Sequence, residues 1–288
     1  MQVFPDGDRL VAIGQRTKAV VWCAHSGQIL HRLDTSELLR GHHRVVRVFP
    51  KGDKVATGVS EELGDGIIIW NATSGVALRY LVQQVDRQQD WVSMFELAPC
   101  GQKVVAAAGN RAFLWDASSG VLEHALPAHD SLISAIAISS GGEHVVVCST
   151  GGAVSVYGRT GRLQSYLERS VKGAALLASG DRFLTYSSEE IVTWDMRTQQ
   201  RLATLTSTNQ IRGFAVSQDG SLVAACGDGM AGLQSQATVW DIGTGKVLNT
   251  LDMPAPLHWL GWASALLMAR PCSVAVGVGR HHLDVARA

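Results

Sequence analysis

The sequence predicts an all-β fold built from one four-stranded antiparallel unit used six times, with part of a seventh. Three observations carry that prediction. An aromatic residue ends a short apolar run at Trp22, Trp70, Trp115, Tyr157, Trp194 and Trp240, with gaps of 48, 45, 42, 37 and 46 residues. A turn follows each aromatic: "VVWCAHSG", "IIWNATSG", "FLWDASSG", "SVYGRTG", "VTWDMRTQ" and "TVWDIGTG". No segment sustains apolar residues at helical spacing, so helices should be few. A repeat of about 40–45 residues is the mark of an architecture made of stacked or radially set units.

Within one period the elements follow in chain order. The first strand reads "VSMFELAPCG" (Val92 to Gly101), "ISAIAISSGG" (Ile133 to Gly142) and "IRGFAVSQDG" (Ile211 to Gly220), with apolar residues at i, i+3 and i+5 before a turn ending in glycine. "VKGAALLASG" (Val171 to Gly180) fits with Ala174 in the middle place, and "LHWLGWASAL" (Leu257 to Leu266) fits up to its missing turn glycine. The alternation that closes this template is that of a strand with one buried face. The second strand is a short apolar run, "VVAAAG", "HVVVCS" or "LVAACG", and its lack of polar alternation predicts burial on both faces. The third strand ends on the aromatic. The turn beyond it suits a hairpin in which glycine takes positive φ. The fourth strand closes on leucine in all six copies, "QILHRL", "VALRYL", "VLEHAL", "RLQSYL", "QRLATL" and "KVLNTL", and is expected to be an outer, partly exposed strand.

In this register the chain resembles a WD-repeat β-propeller. The likeness rests on Trp115-Asp116, Trp194-Asp195 and Trp240-Asp241 at the ends of third strands. The turns "FPDG" (Phe4 to Gly7), "APCG" (Ala98 to Gly101) and "SQDG" (Ser217 to Gly220) are similar to the family's Ser-Pro-Asp-Gly. The resemblance covers about residues 2–265 and implies a propeller of four-stranded antiparallel blades over residues 1–270. Its repeats fall at about 1–33, 34–82, 83–127, 128–168, 169–206 and 207–252, with a partial seventh at 253–270 and an irregular tail at 271–288. There are departures. The family's repeat often opens with Gly-His, whose His joins a buried hydrogen-bond network; only His129, in "PAHDSLI", falls in that place, and Gln88, Leu167, Ser207 and Met253 fill the others. Cys23 and Asn71 replace Asp, and Tyr157 replaces Trp. The implied blades are held more by apolar packing than by a polar network. A closed propeller usually completes its last blade with a strand from the other end. The first blade begins at the end of its first strand, near Val3, and the seventh has neither Trp-Asp nor outer strand, so the expectation is a piece or variant of a longer protein.

Composition excludes several function classes. Twenty-five basic residues balance twenty-five acidic ones, leaving no overall field to hold nucleic acid or an anionic membrane. Cys23, Cys100, Cys148, Cys226 and Cys272 form no C-x-x-C pair, which predicts a reducing, cytoplasmic setting. No apolar run reaches the roughly 18 residues of a membrane span, and no signal-like segment follows Met1, so no membrane insertion is expected. "GDGMAG" (Gly227 to Gly232) matches G-x-G-x-x-G, but "LQSQATVWD" follows it, a strand rather than the helix that a pyrophosphate site needs. The pairs His42-His43 and His281-His282 make poor chelates on strands, where adjacent side chains point to opposite faces. Cys148 and Cys226 are expected as small core residues. No catalytic, cofactor or metal site is expected.

The resemblance also implies where partners bind: at the loops that enter the first strand and those joining the second to the third. "SEELGDG", "SSEE" and "GDGMAGLQSQ" place Glu61, Glu62, Asp65, Glu189, Glu190 and Asp228 at that end, and the loops entering first strands add Asp90 and Asp130, with Arg87 and Arg111 as basic exceptions. Trp91, at the start of a first strand, is similar to positions that touch ligands in the family. An acidic face predicts a basic peptide, and an indole among carboxylates predicts an anchor. The expected function is a non-catalytic scaffold that binds other proteins or peptides, without cofactor and without nucleic acid. One alternative follows from the resemblance to long WD-repeat proteins that carry a NACHT-type nucleotide-binding module: a sensor or autoinhibitory propeller of a larger NTPase-type signalling protein. The other is a propeller hydrolase, which would need carboxylates, His or Arg converging from inner strands that are mostly apolar or small here.

Overall fold

The computed structural model describes residues 1–13, 18–34, 42–60, 66–82, 92–166, 171–177, 181–217, 219–228 and 236–252. These form six four-stranded antiparallel sheets. Sheet one holds Gln2–Val3 (β1), Arg9–Ile13 (β2), Ala19–Cys23 (β3) and Ile29–Leu33 (β4). Sheet two holds His42–Val48 (β5), Lys54–Ser60 (β6), Gly66–Asn71 (β7) and Ala77–Val82 (β8). Sheet three holds Val92–Leu97 (β9), Lys103–Ala108 (β10), Arg111–Asp116 (β11) and Leu122–Ala125 (β12). Sheet four holds Ile133–Ile138 (β13), Val145–Ser149 (β14), Val154–Tyr157 (β15) and Leu163–Tyr166 (β16). Sheet five holds Gly173–Leu176 (β17), Arg182–Tyr186 (β18), Glu190–Asp195 (β19) and Arg201–Thr206 (β20). Sheet six holds Gln210–Val216 (β21), Leu222–Asp228 (β22), Gln236–Asp241 (β23) and Val247–Asp252 (β24). No helix occurs among the described residues. The expected partial seventh repeat and the tail lie outside them.

In every sheet the strands pair in chain order, and successive sheets meet through their first strands: β1 on β5, β5 on β9, β9 on β13 and β13 on β17. The first strand is thus the inner one and the fourth the outer one. Outer-strand residues such as Ile29, Leu78, Leu122, Leu202 and Val247 are exposed, as the half-apolar fourth-strand sequences predict. Second and third strands of sheets two to five are largely buried on both faces, and all of Val145–Ser149 and Val154–Tyr157 is buried, whereas most of β2 and β3 in sheet one is half-buried.

The core lies between sheets, and the repeated aromatics fill it. Trp70 packs with Phe4, Val11, Val21 and Leu33 of the sheet before it. Trp115 packs with Phe49, Ile67, Ile69 and Leu81, and Tyr157 with Ala98, Val105, Leu114 and Leu126. Trp194 meets Val146, Cys148 and Val156, and Trp240 meets Leu184, Ile191 and Leu205. Each ring therefore faces the preceding sheet. Trp22 has no preceding sheet among the described residues and is half-buried, whereas the other five rings are 1–6 % exposed. At each aromatic the pairing between third and fourth strands shifts by a residue, in all six sheets. The extra residue lies on the fourth strand, as Leu30, Leu78 and Leu202 do, so it is that strand which bends opposite the ring.

The polar ends of the rings are satisfied in three sheets. Trp70 donates from Nε1 to Thr57 Oγ1 at 2.8 Å, and Trp194 to Thr185 Oγ1 at 2.8 Å. The Tyr157 hydroxyl lies 3.0 Å from Nε2 of His129, the one histidine in the expected place. At the positions matching Thr57 and Thr185, sheets three and six carry Ala106 and Ala225, which offer no hydroxyl.

In four sheets the turn after the aromatic is capped by the next residue. Asp116 Oδ1 accepts from the backbone N–H of Ser118 and Ser119 at 3.0 and 2.9 Å, and Asp195 and Asp241 accept from Thr198 and Thr244 at 2.6 and 2.7 Å. Asn71 does the same for Thr73 and Ser74. The last turn position takes positive φ, at Gly27, Gly75, Gly120, Gly161 and Gly245, and at Gln199 with φ 60°. Gln199 is the sole non-glycine there among the described residues, and an L side chain in that region costs about 1–2 kcal/mol.

Two stability predictions follow from these contacts. Gln199→Gly should raise the unfolding free energy by about 1 kcal/mol, since it removes the left-handed strain; a urea titration that shows no gain would mean the turn is unstrained. Thr57→Val should cost about 1–3 kcal/mol, because the buried indole N–H of Trp70 loses its acceptor. The same measurement on Ala106→Val has no hydrogen bond to lose and reports only the added methyl groups.

Candidate functional site

Antiparallel pairing puts the loops of each sheet at two ends. One end carries the links into first strands and the turns between second and third strands; the other carries the remaining two turns. The first end is where the sequence expectation puts partner binding. Glu61, Glu62, Asp65, Asp90 and Trp91 lie outside the described residues. Asp228 closes β22 opposite Gln210, and its side chain is also outside the described set. Glu189 and Glu190 occupy the β18–β19 turn.

That turn is held from several sides. Ser187 N–H donates to the Glu190 carbonyl at 2.9 Å, Ser207 N–H to the Glu189 carbonyl at 2.8 Å, and Ile211 N–H to the Ser188 carbonyl at 2.6 Å. Glu189 is exposed on it. Glu190 is half-buried and lies 3.6 Å from the Arg201 guanidinium, so part of its charge is answered within the sheet. The structure thus presents one of this acidic pair outward and turns the other along its own blade. At the same end, Asn110 Nδ2 donates to the His129 carbonyl at 2.7 Å and His129 N–H donates to the Asn110 carbonyl at 2.8 Å, tying the link into sheet four to the β10–β11 turn. Burial pushes the His129 imidazole below its ordinary pKa, against an opposing pull from Asp130, which suits a neutral ring bonded to Tyr157.

"GDGMAG" begins inside a strand. Gly227 belongs to β22, and a Cβ there would lie 1.8 Å from the Gln210 carbonyl oxygen, so close backbone approach alone requires this glycine. The strand β23 follows, as expected from the sequence. Cys148 and Cys226 are buried.

Sequence reasoning missed a charge pair on the inner strands. Arg47 of β5 makes a two-pronged contact with Glu96 of β9, with Nε donating to Oε2 at 3.1 Å. Burial pulls the Arg47 pKa down, but the carboxylate outweighs it and holds the guanidinium above its ordinary value. Val48 N–H donates to Gln2 Oε1 at 2.7 Å beside it. These contacts stitch sheets one, two and three together. An acid already neutralised by a guanidinium is a poor general base.

The opposite end holds a cleft of about 720 Å³ between the turns of sheets four, five and six, lined by Glu143, His144, Asp181, Arg182 and Arg197, among others. Asp195 and Asp219 also line it, but both carboxylates are engaged in their own turns. The cleft escaped sequence reasoning because its residues come from four separate turns that only the fold brings together.

Two segments, residues 120–157 and 199–233, match the family model of the WD domain, G-beta repeat. The chain carries WD repeats. Each matched segment begins at a turn after an aromatic and runs through the next fourth, first and second strands. WD repeats form protein-interaction scaffolds and are generally not enzymes. No curated protein matches the chain. No helix among the described residues is long and apolar enough to cross a membrane.

The WD aspartates set a pH dependence. Hydrogen bonds from the Ser118 hydroxyl and the Ser119 N–H hold the Asp116 carboxyl well below the usual range, and those from Thr198 and Thr244 lower Asp195 and Asp241. The Ser217 hydroxyl and Ser221 lower Asp219 to about 2. A carboxylate depressed in the folded state adds stability above its unfolded pKa, near 3.9, and loses it as pH falls toward the folded value. The melting temperature should therefore hold above about pH 5 and drop between about pH 4 and pH 2. Asp219→Asn should flatten part of that drop in a thermal melt series; an unchanged slope would mean Asp219 is not linked to folding.

Proposed function

We propose that the chain is a non-catalytic scaffold that binds partner proteins through the loop end defined by the β18–β19 turn, and that the outer loops of this end select basic segments. The observation that carries this reading is the presentation of Glu189: a turn fixed by backbone hydrogen bonds on both sides holds an exposed carboxylate on an ordered support. A site pre-set in this way loses little conformational freedom on binding. The acidic loops around Glu61, Glu62 and Asp65, and Trp91 as an apolar anchor, extend the same surface in this reading. Exposed charge of one sign chiefly speeds and steers association, and its effect is screened by salt.

Affinity capture from cell lysate with the wild-type chain, repeated with Glu61→Gln, Glu62→Gln and Glu189→Gln combined, tests this. The combined variant should recover several-fold less partner at low salt and show a shallower salt dependence. Equal recovery at every salt concentration would reject the electrostatic reading.

A further inference from the structure

The end opposite Glu189 carries a charge pattern of its own. Two residues beyond the glycine that ends each first-strand template stand Arg9, Lys54, Lys103, His144 and Arg182 in repeats one to five, and Leu222 in repeat six. Arg9, Lys54, Lys103 and Arg182 each pair with the residue after the aromatic. In sheets one to three the frame uses this cation. Arg9 donates to Asp6 Oδ2 at 2.8 Å and to the Gly52 carbonyl of the next sheet at 2.9 Å. Lys54 lies 3.9 Å from Asp53, and Lys103 meets both Asp116 and Glu123.

Arg182 departs from this use. It stands opposite Asp195 as Lys103 stands opposite Asp116, but the bulge residue of the fourth strand, Glu123 in sheet three, is Leu202 in sheet five. Asp195 in turn gives its Oδ1 to the N–H and the hydroxyl of Thr198. Arg182 is exposed, and among the described residues its guanidinium has no hydrogen-bond or ion-pair partner. It lines the cleft of about 720 Å³. Leu177 and Met196, both buried, line the same cleft, as does the exposed Arg197 of the β19–β20 turn. That volume falls within the range of clefts that hold ligands. The result is a guanidinium left over by the frame at a cavity with apolar side chains in its wall.

We propose that this cleft is a second binding site, which takes an acidic side chain of a protein segment, with the Arg182 guanidinium as the group that receives the carboxylate. It lies at the other end from the surface assigned to partner binding above and does not depend on that reading. The planar fork of a guanidinium matches a carboxylate through a two-pronged contact. Glu143, Asp181, Asp195 and Asp219 also line the cleft. Their summed field opposes a phosphate dianion or a nucleic acid more than it opposes a single carboxylate. Glu143 is exposed there, so a Lys or Arg beside the acidic residue of the ligand gains a partner of opposite charge. The class of ligand is therefore a segment in which Asp or Glu stands near a basic residue.

Selection of a random decapeptide display library on the wild-type chain, with depletion on the Arg182→Glu/Arg197→Glu variant, tests the proposal. Peptides that survive depletion should carry Asp or Glu about threefold or more over the input, with Lys or Arg close by in sequence. A surviving peptide should bind Arg182→Gln about three- to fivefold more weakly by fluorescence anisotropy, the size of one exposed charged contact. It should bind Arg159→Gln as it binds the wild type, since Arg159 is an exposed arginine of the same end outside the cleft lining. The same peptide with phosphoserine in place of its acidic residue should bind no more tightly. Arg182 and Arg197 are both exposed, so melting curves of the variants should lie near that of the wild type. A pool that is empty or without acidic bias after depletion, equal affinity for Arg182→Gln and the wild type, or tighter binding of the phosphoserine peptide would overturn the proposal. Each of these results leaves the loop-end reading standing, which lysate capture tests on its own.

Discussion

One ring at the end of each third strand, wedged against the sheet before it, is the contact on which the other features depend. It sets the spacing between sheets and lets first strands meet at the inside while fourth strands fan out. Its direction is the same in every described interface: Trp70 leans on sheet one, Trp115 on sheet two, Tyr157 on sheet three, Trp194 on sheet four and Trp240 on sheet five. A bulge in the fourth strand stands opposite each ring, and that strand resumes pairing beyond it.

Magnitudes explain why the repeats tolerate so many departures. Removing a buried aromatic side chain costs about 3–5 kcal/mol, whereas a typical internal hydrogen bond nets about 1 kcal/mol. The packing of the ring therefore decides the interface, and its polar end adds a smaller share. Sheets two and five satisfy the indole with a threonine, and sheet four substitutes a phenol for the indole and a histidine for the threonine. Sheets three and six place alanine at the threonine position, yet Trp115 and Trp240 remain 1 % and 2 % exposed. The ring is retained across these five interfaces while its partners vary.

The same contrast explains what the sequence revealed. The period, the six aromatics, the glycine-ended turns and the outer strands were legible because they recur at fixed offsets from a large residue. Thr57 and Thr185 were not, because their role appears only once the second strand is registered against the third: each sits two residues beyond the partner of the tryptophan. Of the expected acidic site, Glu189 lies in the β18–β19 turn and Glu190 opens β19, and nothing in "SSEE" foretold that Arg201 would answer one of the two charges.

Charge counted by residue therefore misleads about charge presented. At the end opposite Glu189, Asp116, Asp195, Asp219 and Asp241 are acidic by composition, but each spends its oxygens on N–H and hydroxyl donors of its own turn. Lys103 is similarly shared between Asp116 and Glu123. Carboxylates bound in this way hold the frame and have few lone pairs left for a partner, so the composition of a turn does not by itself give the field that it projects. Glu189 differs in being carried on a turn whose backbone hydrogen bonds are made by its neighbours, with its side chain exposed. In a fold whose sheets are locked together by apolar rings, recognition falls to side chains that the frame does not use, and Glu189 meets that condition.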